Sequence, residues 1–267
     1  MPGHPASGET PLSSIMQAGT TKPSVSFIVP ALNEERSIEG AARTCQAAAE
    51  GIVSDYEIIL VNDGSRDRTG ELMDELARKF PRMRVIHNPR NLGFGGAFKA
   101  GLACARMDYV VRICGDDQVP VPGVRAVLAE IGRADLVIPY IANPAEYRSW
   151  GRRFASWGFT TVVNTLFSQR APYYNHSVVF RRDDVQAICI ATDGFAYQAE
   201  AVVKLLLAGH TFVPVGINDA ARIHGTSTAL RPRNVWKAVK AIGDLYWEVR
   251  KPGAIPAKPT SLPRQLS

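Results

Sequence analysis

Three apolar runs of strand length in this 267-residue sequence each end in a polar segment that carries carboxylates. These polar segments are residues 30–35, 62–69 and 115–118. Carboxylate and amide oxygens are the ligands that hard divalent cations prefer, and a cation beside a diphosphate needs several of them close together. Each segment alone also fits a structural role, such as helix capping by Asn33 or a turn at Asp63-Gly64. Three such segments in one chain favour a shared binding site.

The sequence between these segments predicts the elements that would bring them together. Apolar runs without alternation predict strands at 25–29, 56–61, 83–86, 109–114 and 136–140, and helical periodicity predicts helices at 37–50, 69–80, 95–106 and 123–131. Strands that each lead into a helix are typical of a mostly parallel sheet with helices on both faces. Because ligands bind beyond the carboxyl ends of strands in such sheets, the three polar segments are expected to line one crevice.

The second half of the chain has a different pattern. Helices are predicted at 149–167, 195–208 and 234–250, the last of them amphipathic, and one further strand is predicted at 211–217. Residues 1–23 are rich in Pro, Gly, Ser and Thr, and residues 251–267 contain four prolines, so both ends are predicted to be disordered. We therefore expect one domain at residues 24–250.

The composition is that of an ordinary globular protein, with 46% hydrophobic and 21% charged residues. No run reaches the roughly 18 apolar residues that a spanning helix needs, and the first residues lack the apolar core of a signal peptide. Four widely spaced cysteines predict reduced, buried thiols in a cytoplasmic protein rather than disulfides or a zinc site. The formal charge of +6 favours anionic partners such as nucleotides, phospholipids or nucleic acid, although a solvated basic surface explains it equally well.

Ordered motifs across residues 25–250 resemble glycosyltransferase family two, which has the GT-A fold. Within that family the resemblance is closest to dolichol-phosphate mannose synthases and related polyprenyl-phosphate sugar transferases. The motifs lie at residues 29–34, 62–65, 91–97, 114–118, 195–200 and 225–227, with Asp67, Thr69, Gly101 and Arg222 beside them. The glycine-rich run at 93–98 is not a dinucleotide-binding loop, because its third glycine is missing and residues 87–90 separate it from the preceding strand.

The resemblance implies an α/β GT-A (Rossmann-like) fold, in which helices sandwich a mostly parallel sheet and a C-terminal amphipathic helix follows. It implies inverting transfer of a hexose from a UDP- or GDP-sugar to a polyprenyl phosphate. It also implies Mg²⁺ or Mn²⁺ as cofactor and no nucleic-acid partner. The residues that match the family's nucleotide-sugar site are Pro30, Asn33, Glu34, Asp63, Asn91, Gly93 and Asp116.

The family's metal-binding Asp-x-Asp motif is altered in this chain. Asp116 matches the second aspartate, whereas Cys114 occupies the position of the first. Gln118 matches a position that supplies another metal oxygen in some relatives, and Asp117 is a candidate substitute. A thiol is a poor ligand for hard Mg²⁺. The change therefore leaves open weaker metal binding, a second ligand from elsewhere, or lost activity.

The acceptor decides which further residues the reaction needs. A lipid phosphate is ionised near neutral pH and needs cations to position it, and the resemblance assigns that role to arginines. The candidates are Arg148, Arg152, Arg153 and Arg222. An acceptor hydroxyl instead needs a general base, for which Glu200 or Asp193 is the candidate. A family-two enzyme acting on a hydroxyl is thus the first alternative, and a catalytically inactive sugar-nucleotide-binding subunit is the second.

Aromatic and basic residues in the second half predict contact with a membrane surface. Trp236, Lys237 and Lys240 lie on the last predicted helix, and aromatic residues are mixed with arginines at 148–159. Interfacial helices combine such residues, and each lysine or arginine near an anionic surface adds roughly 1 kcal/mol. Both stripes also fit core packing. We expect a cytoplasmic protein that lies peripherally on the inner membrane face, bound either directly or through a membrane partner subunit.

Overall fold

The computed structural model describes residues 22–144, 149–220 and 231–255. In chain order these residues form β1 (Ser24–Ala31), α1 (Ile38–Ala49), β2 (Asp55–Asn62), α2 (Thr69–Lys79), β3 (Met83–His87), α3 (Phe94–Cys104), β4 (Tyr109–Arg112), α4 (Val121–Ala129), β5 (Leu136–Ile141), α5 (Trp150–Phe167), β6 (Val179–Arg181), α6 (Arg182–Ala187), α7 (Tyr197–Leu207), β7 (Phe212–Ile217) and α8 (Pro232–Glu248). Nearly all of the two predicted disordered ends lies outside the described residues, so their disorder stays a prediction, as does the domain range 24–250.

The seven strands form one sheet in the order β3-β2-β1-β4-β6-β5-β7. β1 pairs in parallel with β2 and β4, β2 with β3, and β5 with β7, whereas β6 runs antiparallel to both β4 and β5. The predicted, mostly parallel sheet is therefore confirmed. Ala31 lies opposite Asn62 in the register of β1 and β2, so the polar segments that follow these strands leave the sheet side by side.

Two apolar layers cover the sheet, as expected for strands that do not alternate in polarity. Successive residues of β1 point to opposite faces: Phe27 and Val29 share a cluster with Ile38 of α1, and Ile28 shares one with Phe98 of α3. Helices α1, α2 and α4 cover the first face, and α3, α5, α7 and α8 contribute to the second. Because both faces are covered, the ends of the strands are the part of the sheet that a ligand can reach.

Two elements do not follow from the sequence pattern, namely the three-residue β6 and the six-residue α6. β6 is too short for a periodicity to show, and it is an antiparallel insert between two parallel strands. β4 also ends at Arg112, two residues before its predicted end at Cys114. Beyond Arg112 the N–H of Ile113 still donates to the carbonyl of Ile28 (2.9 Å), and the chain then turns at Gly115.

The cysteines are only partly as expected. All four are free thiols, and Cys45 is buried. Cys104 and Cys189 are exposed, so the prediction of buried thiols is wrong for them. Cys104 is the last residue of α3 and Cys189 follows α6, and both helices end at the surface there. Among the described residues, no helix combines the length and the apolar character that crossing a membrane requires.

Gly101 tests how closely α3 packs on the sheet, because a Cβ there would overlap Cγ2 of Ile28. Alanine gains about 1 kcal/mol of helix propensity, but overpacking costs about 1–3 kcal/mol, so we expect Gly101→Ala to lower the free energy of unfolding. On α8, a Cβ at Gly243 would meet no atom of the described residues within 4 Å, its chain neighbours and the adjoining helix backbone left aside. Gly243→Ala should therefore raise the free energy of unfolding by up to about 1 kcal/mol. Urea denaturation measures both changes, and effects of the same sign would contradict this packing.

Candidate active site

The segments after β1 and β2 are joined to each other by side chains. Asn33 has a left-handed backbone (φ 57°), its N–H donates to Ser65 Oγ (3.0 Å), and its Oδ1 accepts from the N–H of Arg66 (2.8 Å). The N–H of Glu34 donates to Thr69 Oγ1 (2.8 Å). Backbone N–H groups that have left the sheet thus find side-chain partners in the neighbouring segment. Two of the predicted nucleotide-site residues, Asn33 and Glu34, are held in place by these bonds.

Asp63 organises the loop between β3 and α3. It is 4% exposed, and its carboxylate accepts from Asn88 Nδ2 (2.9 Å) and from the N–H groups of Leu92 (2.9 Å) and Gly93 (3.0 Å). Asn91 Oδ1 also accepts from the N–H of Gly93 (2.8 Å). Asp63, Asn91 and Gly93, which are all predicted to bind the nucleotide sugar, therefore form one hydrogen-bonded unit. Their contact with a nucleotide stays a prediction.

The turn after β4 places two of the three predicted metal ligands, Asp116 and Gln118, in the lining of one pocket. The N–H of Gly115 donates to the carbonyl of Pro30 (3.2 Å), and a Cβ at Gly115 would lie 2.7 Å from that of Ala31. Glycine therefore lets the turn approach β1 closely. Asp116 and Gln118 offer one carboxylate and one amide oxygen. Such a pair fits Mg²⁺ or Mn²⁺ when the phosphates of a substrate complete the coordination shell.

Asp117, the third predicted metal ligand, points toward α1 instead. Its backbone is left-handed (φ 52°), and its Oδ1 accepts from Thr44 Oγ1 (3.0 Å). Burial raises the pKa of Asp117; the hydrogen bond from Thr44 opposes this effect and the charge of Asp116 adds to it. The structure thus brings Asp116 and Gln118 together and separates Asp117 from them.

A pocket of about 310 Å³ opens beyond the end of β4, between α5 and α8. Its polar end is formed by Arg112, Cys114, Asp116 and Gln118. Its mostly apolar wall includes Phe94, Phe159, Phe195, Val235, Ala238 and Val239. The volume is within the range of small-molecule sites. The predicted clamp residue Arg152 lines the pocket too, whereas Arg148 and Arg222 lie outside the described residues.

Arg112 is a pocket residue that the sequence reasoning missed. Its guanidinium is buried and held in one place: Nη1 donates to Cys114 Sγ (2.9 Å), Nη2 to the carbonyl of His176 (2.8 Å), and Nε and Nη2 to Gln198 Oε1 (3.3 and 3.1 Å). It lies 4.7 Å from the centre of the Phe94 ring, which is within cation–π distance. The sequence does contain one sign of this role, because Arg112 is the single charged residue in the apolar run at 109–113.

His176 is buried against Asp219. Its Nδ1 accepts from the N–H of the following residue (2.7 Å), so the ring proton lies on Nε2, which donates to Asp219 Oδ1 (3.0 Å). The N–H of Asp219 donates to Asn143 Oδ1 (3.1 Å), and the N–H of Ala220 donates to the carbonyl of Gln118 (3.0 Å). The residues that follow β5 and β7 are therefore fixed beside the turn that carries the metal-ligand candidates.

Glu200, a candidate general base, has both carboxylate oxygens engaged by the protein. Oε1 accepts from the N–H of Ala191 (2.8 Å) and from Lys204 Nζ (2.8 Å), and Oε2 accepts from the N–H of Thr192 (2.9 Å). Glu200 and Lys204 are 3% and 2% exposed. Burial alone raises a carboxyl pKa, but these hydrogen bonds outweigh it and lower the pKa of Glu200. This geometry suits a residue that positions the loop at 191–196.

Lys204 links that loop to the last helix, because its Nζ also donates to Glu248 Oε1 (2.6 Å) on α8. The other side of the loop is tied to α3, where the carbonyl of Asp193 accepts from the N–H of Gly95 (2.7 Å). Phe195, which follows in the same loop, lines the pocket. Three helices therefore hold this part of the pocket wall.

A second group of side chains with metal-ligand chemistry lies elsewhere. One ligand atom each of Asp135, Asp184 and His210 lies within 4.8 Å of the others. Asp135 and His210 precede β5 and β7, and Asp184 follows the antiparallel β6, so the group lies at the edge of the sheet opposite the pocket. It is not placed to share a metal ion with Asp116.

Known proteins share the sequence pattern of this chain and its fold. Residues 26–202 match the family model described as glycosyl transferase family 2. Because the match extends over more than half of the chain, the chain belongs to glycosyl transferase family 2. Membership of this family places the protein in the class of the glycosyltransferases.

Two curated relatives illustrate the similarity. The chain is 32% identical over 223 residues to an undecaprenyl-phosphate 4-deoxy-4-formamido-L-arabinose transferase of Pseudomonas paraeruginosa, covering 79% of this chain and 62% of the relative. It is 37% identical over 95 residues to a dolichyl-phosphate beta-glucosyltransferase of Trichomonas vaginalis, covering 34% of this chain and 28% of the relative. The chain thus matches less than two thirds of the length of either relative.

A solved structure shows the same fold. Glucosyl-3-phosphoglycerate synthase of Mycobacterium tuberculosis, in complex with Mn²⁺, UDP-glucose and phosphoglyceric acid, superposes with a TM-score of 0.62 at 18% identity, covering 83% of this chain and 80% of that chain. At this identity the similarity concerns the fold alone. The GT-A architecture expected from the sequence is confirmed by it.

Glu200→Gln tests whether this carboxylate positions the loop. Because the folded-state pKa of Glu200 is lowered, its stabilising effect is present above the unfolded-state pKa of about 4.3 and is lost as the pH falls through the folded value. We expect the variant to be about 1–3 kcal/mol less stable than the wild type at pH 7, with a difference that shrinks below about pH 4. Urea denaturation across this pH range measures the difference.

The matched control is Asp244→Asn, which removes the partner of Lys240 in another i,i+4 pair at 2.7 Å. The two side chains of that pair are 66% and 65% exposed, so the control should change stability by less than about 0.5 kcal/mol. A stability loss in Glu200→Gln no larger than in the control, combined with abolished turnover, would identify Glu200 as a general base instead.

Proposed function

We propose that this chain is an inverting glycosyltransferase that moves a hexose from a UDP- or GDP-sugar to a polyprenyl phosphate. The observation that carries the proposal is the pocket in which the polar turn with Asp116 and Gln118 continues into an apolar wall from α5 and α8. A polar end beside an apolar cleft suits an acceptor whose phosphate is followed by a hydrocarbon chain. The two relatives named for undecaprenyl phosphate and dolichyl phosphate support this class of acceptor.

The donor is proposed to lie along the carboxyl edge of the sheet. Its nucleoside would contact the hydrogen-bonded loops that contain Asn33 and Asp63, and its diphosphate would extend to Asp116 and Gln118. These two residues would hold Mg²⁺ or Mn²⁺, which neutralises the charge that builds up on a departing nucleoside diphosphate. The protein's own part is to fix the donor so that its anomeric carbon faces the pocket.

A phosphate acceptor agrees with the hydrogen bonds that both carboxylate oxygens of Glu200 accept, because such an acceptor needs no general base. A phosphate oxygen is already ionised near neutral pH, so in-line attack on the anomeric carbon needs orientation of the acceptor and no proton removal. Arg152 lines the pocket and is proposed to orient that phosphate. Arg148 and Arg222 are proposed, from the sequence, to share this role.

The two helices that form the apolar wall also carry exposed aromatic residues. We define the aromatic ridge as Trp150, Phe154 and Trp157 of α5 with Trp236 of α8, which are 59% to 77% exposed. The Phe154 ring centre lies 5.8 Å from those of both Trp150 and Trp157. Exposed Arg153 and Lys237 lie beside these side chains in the sequence. Large apolar side chains beside basic ones are typical of helices that lie in a membrane interface.

We propose that the aromatic ridge inserts into the bilayer interface, so that the protein is peripheral on the membrane face that donates the lipid acceptor. The acceptor phosphate would then reach the pocket between α5 and α8 without leaving the membrane. The relatives named above give no support for a separate membrane partner subunit.

The transfer reaction is tested with a panel of UDP- and GDP-sugars, Mn²⁺ or EDTA, and a short polyprenyl phosphate. We expect one donor to release nucleoside diphosphate only when the lipid phosphate is present. Asp116→Ala should reduce this release by at least about 100-fold, because it removes the carboxylate at the polar end of the pocket. Asp183→Ala is the control, since Asp183 is exposed on α6 and pairs with Arg182 (2.8 Å).

Two other results would replace the proposed acceptor or activity. Release that requires the metal but ignores the lipid would identify a hydroxyl acceptor, which is the first alternative. Nucleotide binding without turnover across the whole panel would identify a catalytically inactive binding subunit.

Membrane contact is tested by co-sedimentation with phosphatidylcholine vesicles that contain or lack phosphatidylglycerol. The double variant Trp157→Ser/Trp236→Ser should lose at least about tenfold in binding, because burying each large apolar side chain contributes about 1.5–3 kcal/mol. Leu207→Ser, which changes an exposed apolar residue of α7, should bind like the wild type. Equal binding by all three proteins would refute the ridge as the contact surface.

A further inference from the structure

The charged residues of the pocket are unusual for a divalent-cation site. Among the described residues that line it, Arg112 and Arg152 are cationic and Asp116 is the one carboxylate, which leaves a formal charge of +1. Proteins that hold Mg²⁺ or Mn²⁺ usually gather carboxylates around it. A lining with this balance attracts phosphate oxygens, so a divalent cation at Asp116 and Gln118 would bind mainly together with the diphosphate.

The position of Arg112 explains how its charge acts at this site. Arg112 is the last residue of β4 and Cys114 lies two residues beyond it. Both line the pocket, as expected for alternating positions along an extended chain. The bonds to Gln198 and to the carbonyl of His176 fix the guanidinium, so its charge is already in place before a ligand binds. Burial lowers the pKa of Arg112, but the charges of Tyr197, Cys114 and Asp116 outweigh this effect and raise it.

The bond from Arg112 to Cys114 is the weak member of this set. A thiol sulfur is a poor acceptor, whereas a phosphate oxygen forms a strong, charge-assisted hydrogen bond with a guanidinium. Nη1 can therefore exchange Cys114 Sγ for a phosphate oxygen at little cost. An aspartate at position 114 would instead pair with Arg112 and cancel its charge.

We propose that Arg112 binds the diphosphate of the nucleotide donor and supplies part of the positive charge that a metal ion would otherwise provide. Nucleotide binding by this chain then depends only weakly on a divalent cation, and Cys114 is the residue that leaves Arg112 available. The inference rests on the proposed function, because it takes the donor to be a nucleoside-diphosphate sugar.

The test is the affinity of the purified protein for UDP and GDP, measured by isothermal titration calorimetry with Mn²⁺ and with EDTA. The wild type should lose less than about tenfold in affinity when EDTA replaces Mn²⁺. Arg112→Met should lose at least about tenfold relative to the wild type in EDTA, because it removes a charge-assisted hydrogen bond. Arg125→Met is the matched control, since Arg125 on α4 bonds to the carbonyls of Ala47 (3.0 Å) and Glu50 (3.2 Å).

Cys114→Asp provides a second variant that keeps Arg112 and its fixing bonds. The new carboxylate should pair with Arg112 and also offer a metal ligand, so binding should weaken in EDTA and strengthen in Mn²⁺. The ratio of the two affinities should rise at least about tenfold above that of the wild type, and this variant decides the question should Arg112→Met fail to fold.

Three results would overturn the inference. The first is wild-type binding that is lost in EDTA while it is strong in Mn²⁺, which would leave the proposed donor intact. The second is equal binding by Arg112→Met and Arg125→Met in EDTA together with an unchanged ratio in Cys114→Asp. The third is the absence of UDP and GDP binding in every condition, which would overturn the proposed donor as well.

Discussion

Parallel strands that end together leave backbone N–H groups which the sheet no longer satisfies, and each buried group of this kind needs a partner. In this protein the partners come from neighbouring segments of the same edge. Asn33 bonds to the segment after β2, Asp63 accepts from the loop before α3, and the N–H of Gly115 donates to the carbonyl of Pro30. The same bonds that complete the sheet therefore set the relative positions of the loops that could bind a nucleotide. Stability and site geometry depend on one set of contacts.

The strands and the convergence of their polar ends could be predicted from the sequence, because both follow from local periodicity and from the geometry of parallel sheets. The direction of individual side chains could not. Asp116 and Asp117 are adjacent, yet one lines the pocket and the other bonds to Thr44 on α1, since Asp117 adopts a left-handed backbone. A sequence pattern does not specify such a backbone conformation outside glycine and a few turn types.

The hydrogen-bond partners of these side chains could not be predicted from the sequence either. The pKa of Glu200 is lowered by hydrogen bonds from Lys204 and from backbone groups of the preceding loop. Lys204 in turn donates to Glu248, which lies 44 residues further along the chain. Arg112 is visible in the sequence as a charge in an apolar strand, but its role depends on Gln198, 86 residues away. In both cases the sequence reports the residue type, and the tertiary structure determines which chemistry it can perform.

In both α5 and α8, the second half contributes to the core and the first half lines the pocket. Val163 and Phe167 of α5 and Ile242 and Leu245 of α8 lie in the core, whereas Trp157 and other residues of the first halves are exposed. The pocket lies between these first halves. The halves that lie in the core support the halves that line the pocket. The core holds the two walls of the cleft in place, together with lining residues such as Phe159 and Ala238 that pack against it.

The order of synthesis gives the connection between Lys204 and Glu248 a further consequence. The residues that form the polar end of the pocket lie before residue 119, whereas α8 (Pro232–Glu248), which forms part of its apolar wall, comes much later in the chain. Until α8 has been synthesised, Lys204 lacks one carboxylate partner and an apolar surface of the second layer remains uncovered. α8 can therefore dock only after α5 and α7, which lie in the same apolar layer, have been synthesised.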